Sequence, residues 1–163
     1  MKQLLIFLIV LGFVNHTQAQ DRKISTLTTV GITSPILDNG IGFHVGLHPY
    51  LELTDRLSAE GQISYMYTKI GSFFLVGTNG SVNSVNTLAG GRLYLSSKDK
   101  NTRFFLNLLA GLNYSIIEEN GVTRAGEFNI GYSGGLFMDL SRITIGLTYE
   151  TPQNLILKLG YSF

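Results

Sequence analysis

Three side chains with the chemistry of acid–base catalysts recur at every fourth position early in the chain: His44, His48 and Glu52. An imidazole beside a carboxylate is a common acid–base pairing, and both groups also ligate metals. In a β-strand these positions share one face, but neighbours four residues apart are separated by ~13 Å. That distance is too long for one metal ion or for a direct hydrogen bond. We therefore predict no catalytic residues, metal site or cofactor, and interpret the histidines as solvated or hydrogen-bonded side chains.

The segments that carry such residues alternate in polarity. Residues 155–163 place an apolar side chain at every second position and end on an aromatic residue. The chain contains eight alternating segments, at residues 24–34, 41–53, 57–69, 83–96, 102–117, 126–140, 142–150 and 155–163. Short polar turns at 54–56, 97–101 and 141 alternate with longer connections at 71–82 and 118–125. This pattern predicts an all-β, eight-stranded antiparallel transmembrane barrel, with the short turns at its periplasmic end and the long loops outside.

The N-terminus predicts export. Lys2 precedes an apolar stretch at residues 4–14, and small residues follow up to Ala19. The stretch is too short for a membrane-spanning helix, so we predict a signal peptide at 1–19, cleaved to leave a barrel domain at 20–163. A retained anchor is the alternative. The 12 basic and 11 acidic residues give no basic excess for nucleic acid, and the absence of cysteine excludes disulfides and thiolate chemistry.

The two faces of the predicted strands differ in kind. The outward face is apolar, with Lys69 and Glu118 as its charges at strand ends, and its aromatic residues cluster toward both ends of the strands. Such clusters are typical of interfacial girdles, although aromatic residues also favour the core of a β-sandwich. Pro49 lies outward inside a strand, which predicts a β-bulge there.

The inward face carries mainly small or polar side chains. Most glycines inside the segments lie on it, as a narrow filled barrel requires. Six charged residues share this face near the periplasmic ends: Glu52, Glu60, Arg92, Arg103, Asp139 and Arg142. Three acids and three bases predict a neutral structural network across the lumen, with Glu60 as the expected partner of Arg92.

Taken together, the signal, the strand count and the closing Leu-Gly-Tyr-Ser-Phe resemble the small outer-membrane β-barrels of Gram-negative bacteria, of the OmpX type and the OmpA-domain type. The resemblance covers residues 20–163. It implies location in the outer membrane, contact with outer-membrane lipid, and recognition of Tyr161 and Phe163 by the barrel-assembly machinery. Lys158 stands where that family usually has glycine, and the His-x-Ser motif of its deacylases is absent.

We therefore expect a barrel without enzymatic activity that acts through its external loops, by surface binding or adhesion, or in envelope integrity. A narrow porin-like channel for small solutes and a lipid-modifying barrel enzyme are the alternatives, while a soluble carrier would need a charged exterior. Loop 71–82 contains Phe73, Phe74, Leu75 and Val76. This apolar run is either a strand extension above the membrane or a patch for a surface ligand.

Overall fold

The computed structural model describes residues 24–35, 40–71, 79–96, 102–119, 121–152 and 154–163. Its strands are β1 (Ile24–Pro35), β2 (Gly40–Glu52), β3 (Leu57–Gly71), β4 (Asn79–Tyr94), β5 (Thr102–Glu119), β6 (Val122–Thr123), β7 (Glu127–Leu140), β8 (Ile143–Glu150) and β9 (Asn154–Ser162). Within these ranges no helix is long and apolar enough to cross a membrane. The predicted signal peptide at 1–19 and the apolar run Phe73, Phe74, Leu75 and Val76 lie outside the described residues.

Eight of these strands close into a barrel. Each pairs antiparallel with its neighbours in the order β1, β2, β3, β4, β5, β7, β8, β9, and β9 returns to β1. The two-residue β6 folds back onto the end of β5, outside the barrel wall. The predicted all-β, eight-stranded antiparallel barrel is confirmed. β4 begins at Asn79, four residues before the predicted start at 83.

The pairing register fixes the tilt of the strands. A row of paired residues that starts at Phe137 of β7 and passes through Lys158 and His44 returns to β7 at Glu127, ten residues away. Closure with such an offset requires the strands to tilt by ~40° from the barrel axis. Eight strands at this tilt enclose a lumen that inward side chains can fill.

The two faces of the wall follow the predicted alternation. Outward apolar residues are exposed on every barrel strand, with Leu108 at 75% and Leu157 at 56%. Outward aromatic rings contact each other at both ends: Tyr114 with Phe128 and Tyr132 with Tyr149 toward the external end, and Tyr161 with Phe163 at the other. This surface has the apolar centre and aromatic borders of a membrane-spanning barrel.

The predicted bulge at Pro49 is wrong. On one side Thr26 pairs with Pro49, and on the other the register runs without a shift from Leu47↔Ile63 to Tyr50↔Glu60. Proline removes one ladder hydrogen bond but needs no inserted residue. The facing position is Gly61, where even a β-carbon would make only an ordinary van der Waals contact with the ring, at 3.7 Å from Pro49 Cγ.

Several inward glycines lie where the packing leaves no space for a side chain. A β-carbon at Gly42 would lie 1.9 Å from the carbonyl oxygen of Tyr67, and one at Gly146 would lie 2.1 Å from the Phe137 ring. Neither gap admits a side chain. The wall therefore stays closed and the large inward rings fit because these positions lack side chains.

Candidate functional site

A buried ion pair lies in the periplasmic half of the lumen. Arg92 of β4 donates from Nε to Glu60 Oε2 at 2.6 Å and from Nη2 to Glu60 Oε1 at 3.1 Å, and both side chains are 1% exposed. The guanidinium also lies 4.0 Å from the centre of the Tyr50 ring and 4.8 Å from that of Phe105. Bidentate pairing and two ring faces satisfy a charge that would otherwise be costly to bury.

The two histidines have different partners. His48 Nδ1 lies 2.8 Å from Glu60 Oε1, and His48 Nε2 lies 3.1 Å from Thr29 Oγ1. His44 Nε2 instead lies 3.5 Å from Glu150 Oε2. Glu52, the third residue of the row, contacts Arg103. The structure therefore does not bring His44, His48 and Glu52 into one site, and no group of three or more metal-ligating side chains occurs among the described residues.

The other predicted network members are spread along the periplasmic end. Arg103 Nη1 lies 3.4 Å from Glu52 Oε1, and its guanidinium stacks 3.6 Å from the centre of the Tyr94 ring. Asp139 accepts a hydrogen bond from Thr144 Oγ1 at 2.5 Å. These contacts lie nearer to solvent than the Arg92 pair, since Arg103 and Glu52 are 16% and 32% exposed.

Arg142 does not belong to this network. It lies in the turn between β7 and β8, is exposed, and donates from Nη1 to the Tyr161 hydroxyl at 3.3 Å. The alternation that places it inward stops at the turn, where Ser141 has a φ of 63° and reverses the chain. The strand period therefore no longer fixes the direction of the next side chain.

A second buried cluster surrounds Glu150, toward the external end. Glu150 Oε1 accepts from Gln62 Nε2 at 2.8 Å, from Ser64 Oγ at 2.6 Å and from Asn86 Nδ2 at 2.8 Å. Its Oε2 accepts from Lys158 Nζ at 2.9 Å, and both charged side chains are at most 1% exposed. We call these five residues the Glu150 cluster. It joins strands β3, β4, β8 and β9 across the lumen.

No family model and no curated protein matches this chain. Among solved structures, Neisserial surface protein A matches with a TM-score of 0.56 and 13% identity, over 88% of this chain and 97% of that one. The Yersinia pestis outer membrane protein Ail in a phospholipid bilayer nanodisc matches with a TM-score of 0.51 and 18% identity, over 86% and 100%. The outer membrane enzyme PagL matches with a TM-score of 0.47 and 14% identity, over 85% and 98%.

This chain has the fold of the small eight-stranded outer-membrane barrels. At these identities the likeness concerns the fold, and a shared fold does not fix a function. The function of this outer-membrane barrel must therefore be argued from its own side chains.

Three side chains in the lumen are hydrogen-bonded in the same sequence of groups as the catalytic triad of a hydrolase. Thr29, His48 and Glu60 form a hydroxyl, imidazole and carboxylate chain, in which the base lies within hydrogen-bond reach of the hydroxyl. All three are buried, with exposed fractions of 1%, 0% and 4%. Tyr94, Phe105 and Phe137 pack together toward the periplasmic end, and the Glu150 cluster lies on the other side. Because these neighbours pack on both sides of the three side chains, we interpret the Thr29–His48–Glu60 arrangement as structural hydrogen bonding.

Sequence reasoning missed the Glu150 cluster, although strand alternation places both charges inward. Glu150 follows the outward Tyr149, and Lys158 lies between the outward Leu157 and Leu159. Alternation could have identified both residues, but the predicted network omits Glu150, and Lys158 is noted there only as a departure from a family pattern. Their contact across neighbouring strands depends on the pairing of β8 with β9.

Proposed function

We propose that this chain is an integral outer-membrane barrel without enzymatic activity that acts through its external face as a surface-binding protein. One observation carries the proposal: two buried charge clusters, around Glu60 with Arg92 and around Glu150 with Lys158, occupy successive levels of the lumen. Chemistry and transport through the interior are then disfavoured. What remains available to other molecules is the exterior, and the external end is the part that faces the surroundings of the cell.

The proposal agrees with the name of one structural neighbour, Neisserial surface protein A. Contact with outer-membrane lipid follows from the apolar outward face. The same contact with lipid supports the alternative function, a contribution to envelope integrity. Binding by Phe73, Phe74, Leu75 and Val76 stays a prediction; deletion of residues 72–76 followed by a binding screen on the refolded barrel tests it.

Planar-bilayer recording is the experiment that tests the filled lumen. We expect purified protein to give no stable, large, ohmic current steps, because two salt-bridged layers lie across the pore. A wider-pored porin measured in the same bilayers is the positive control. Steps of stable size from the purified monomer would contradict the proposal and favour the narrow diffusion channel instead.

A further inference from the structure

Arg142 lies on the outer face of the barrel at its periplasmic border. It stands in the turn between β7 and β8, and its Nη1 donates to the Tyr161 hydroxyl at 3.3 Å. Tyr161 is an exposed, outward residue of β9, so the guanidinium that contacts it lies outside the wall and not in the lumen. The lipid-facing surface therefore carries a positive charge at this level.

The charge of Arg142 has no acidic partner in the part of the chain that the structure describes. Other bases there do have one: Arg92 with Glu60, Arg103 with Glu52, Arg124 with Glu119, and Lys158 with Glu150. Asp139, three residues before Arg142, accepts instead from Thr144 on the inner face. The hydrogen bond to Tyr161 uses one N–H of the guanidinium, and its other N–H donors remain for an anion at the membrane border.

Two hydroxyl groups lie beside this guanidinium on the outer face. Tyr161 of β9 pairs with Thr28 of β1. Thr28 stands between the buried, inward residues Leu27 and Thr29, so its side chain points outward. Neighbouring strands lie ~4.8 Å apart, and the two hydroxyls thus continue the line of donors that begins at Arg142. Because the Tyr161 oxygen accepts from Arg142, its own O–H stays available to donate.

An apolar strip continues from this line toward the middle of the membrane. The next outward row joins Ile145, Leu159 and Val30, which pair across β8, β9 and β1 and are all exposed. Two residues along a strand span ~6.7 Å, so the polar donors and this apolar strip adjoin. They meet at the aromatic border formed by Tyr161 and Phe163, which is the depth of the lipid headgroups.

A phospholipid of the periplasmic leaflet fits this arrangement because its two parts match the two rows. A guanidinium donates to phosphate oxygens in pairs, and hydroxyl groups can donate to the remaining oxygen. The acyl chains then lie along the apolar strip. An anionic headgroup fits better than a zwitterionic one, since a zwitterionic headgroup carries an ammonium that neutralises its own phosphate. Basic sites at a membrane border are a known means of holding anionic headgroups.

We propose that Arg142, Tyr161 and Thr28 form a binding site for the phosphate of an anionic phospholipid, such as phosphatidylglycerol, in the periplasmic leaflet. The site lies at the opposite end of the barrel from the external face, so it goes beyond the proposed surface-binding function and does not depend on it. It also gives a role to the outward direction of Arg142, which strand alternation does not predict.

A fluorescent reporter tests the site directly. The chain contains no tryptophan, so one introduced tryptophan reports on one place of the surface. Leu159→Trp puts the reporter on the apolar strip, and Leu106→Trp puts a control on β5, where Leu93 and Leu136 are the paired neighbours. Each variant is refolded into phosphatidylcholine vesicles that contain phosphatidylglycerol or phosphatidylcholine with brominated chains, and the quenching measures the local preference between the two lipids.

We expect phosphatidylglycerol to be preferred about fivefold at Leu159→Trp, because one basic side chain near the surface attracts an anionic lipid by about that factor. The two lipids should quench Leu106→Trp equally. Equal quenching by both lipids at Leu159→Trp would overturn the inference.

Substitution of the base identifies the group that holds the lipid. In the Leu159→Trp background, Arg142→Gln should abolish the preference. Arg56→Gln is the matched control and should retain it, because Arg56 is an exposed base in the turn between β2 and β3. A preference that survives Arg142→Gln, or an equal loss in both variants, would show general attraction to surface charge and overturn the site.

Removal of the hydroxyls tests whether the site is more than one charge. The double variant Tyr161→Phe, Thr28→Val keeps Arg142 and should lower the preference by about twofold or more, since it removes two hydrogen bonds to phosphate. Thr87→Val removes an exposed hydroxyl on β4 and should have no effect. An unchanged preference in the double variant would overturn the three-residue assignment.

Inorganic phosphate separates a lipid site from a site for the free anion. Added at the same ionic strength as a chloride control, it should leave the quenching of Leu159→Trp unchanged, because it cannot occupy the apolar strip. Displacement of the lipid by inorganic phosphate would overturn the assignment to a phospholipid.

Discussion

At the scale of residues, the lumen shows how charge is made compatible with a narrow barrel. Arg92 has Glu60 on one side and two ring faces around it, and Lys158 has Glu150. Each carboxylate has further donors or a histidine within reach. The members of each cluster depend on one another for ion pairs and hydrogen bonds. Removing one charged residue should therefore lower the free energy of unfolding more than removing both partners of an ion pair.

Arg92→Met should destabilise the fold by about 3–5 kcal/mol, because it leaves the buried Glu60 carboxylate without its cation. The double variant Arg92→Met, Glu60→Gln should be milder, since a neutral amide can still pair with His48. Urea unfolding of protein refolded into vesicles measures both. Arg142→Met is the exposed control and should leave the urea midpoint of unfolding close to that of wild type. A single variant as stable as that control would mean that water or another base reaches Glu60.

Asn107 presents the opposite case. It is buried, and neither side-chain nitrogen nor oxygen has a hydrogen-bond partner among the described residues. Asn107→Leu should therefore leave stability unchanged or raise it, whereas Asn86→Leu should cost about 1–3 kcal/mol because Asn86 donates to Glu150. The same unfolding measurement compares them. Equal losses would indicate that Asn107 makes hydrogen bonds to bound water.

At the scale of elements, the last strand closes the barrel. β9 pairs with β8 on one side and with β1 on the other, and Phe163 N continues the ladder by donating to Thr26 O at 3.0 Å. The Tyr161 and Phe163 rings contact each other edge to face, with centroids 5.0 Å apart. The exposed ring of Phe163 is thus held by backbone pairing at the end of the closing strand.

Deletion of Phe163 should reduce the fraction of folded barrel in cells while secretion across the inner membrane continues. The reason is the resemblance of the last strand to an assembly signal, to which Tyr161 and Phe163 contribute. Phe163→Tyr keeps an aromatic ring and should assemble as wild type does. Quantifying folded protein in outer-membrane fractions provides the readout. Equal assembly of the deletion variant would show that the C-terminal likeness has no role in recognition.

At the scale of the whole molecule, stability is expected to arise from closure. Every barrel strand is paired on both sides over most of its length. Among the described residues, the wall has no free edge between the Tyr132–Tyr149 contact and the Tyr161–Phe163 contact. Exposed strand edges, the usual route to unfolding and aggregation, are confined to the external end.

The folded protein should therefore resist SDS at room temperature and change mobility on gels after heating. It should also fractionate with outer membranes. The mobility shift tests whether the hydrogen-bonded barrel is closed, and the fractionation tests whether the protein lies in the outer membrane. The two results are independent of each other. Recovery from the periplasm as a soluble monomer without any shift would contradict the membrane-spanning interpretation.

Local alternation was enough to determine which face of each strand is apolar and how many strands the barrel has, because side-chain direction in a strand repeats every two residues. It also places Glu60 and Arg92 inward, but it fails for Arg142, which follows the turn at Ser141. The tertiary structure alone decided which inward groups meet. The ten-residue offset of closure sets the depth of each position, and it gives His44 and His48 different carboxylates although they lie on one row. It also leaves β7 taller than β8. Neither result can be read from a strand by itself, since both depend on how far each strand slides past its neighbour before the ring closes.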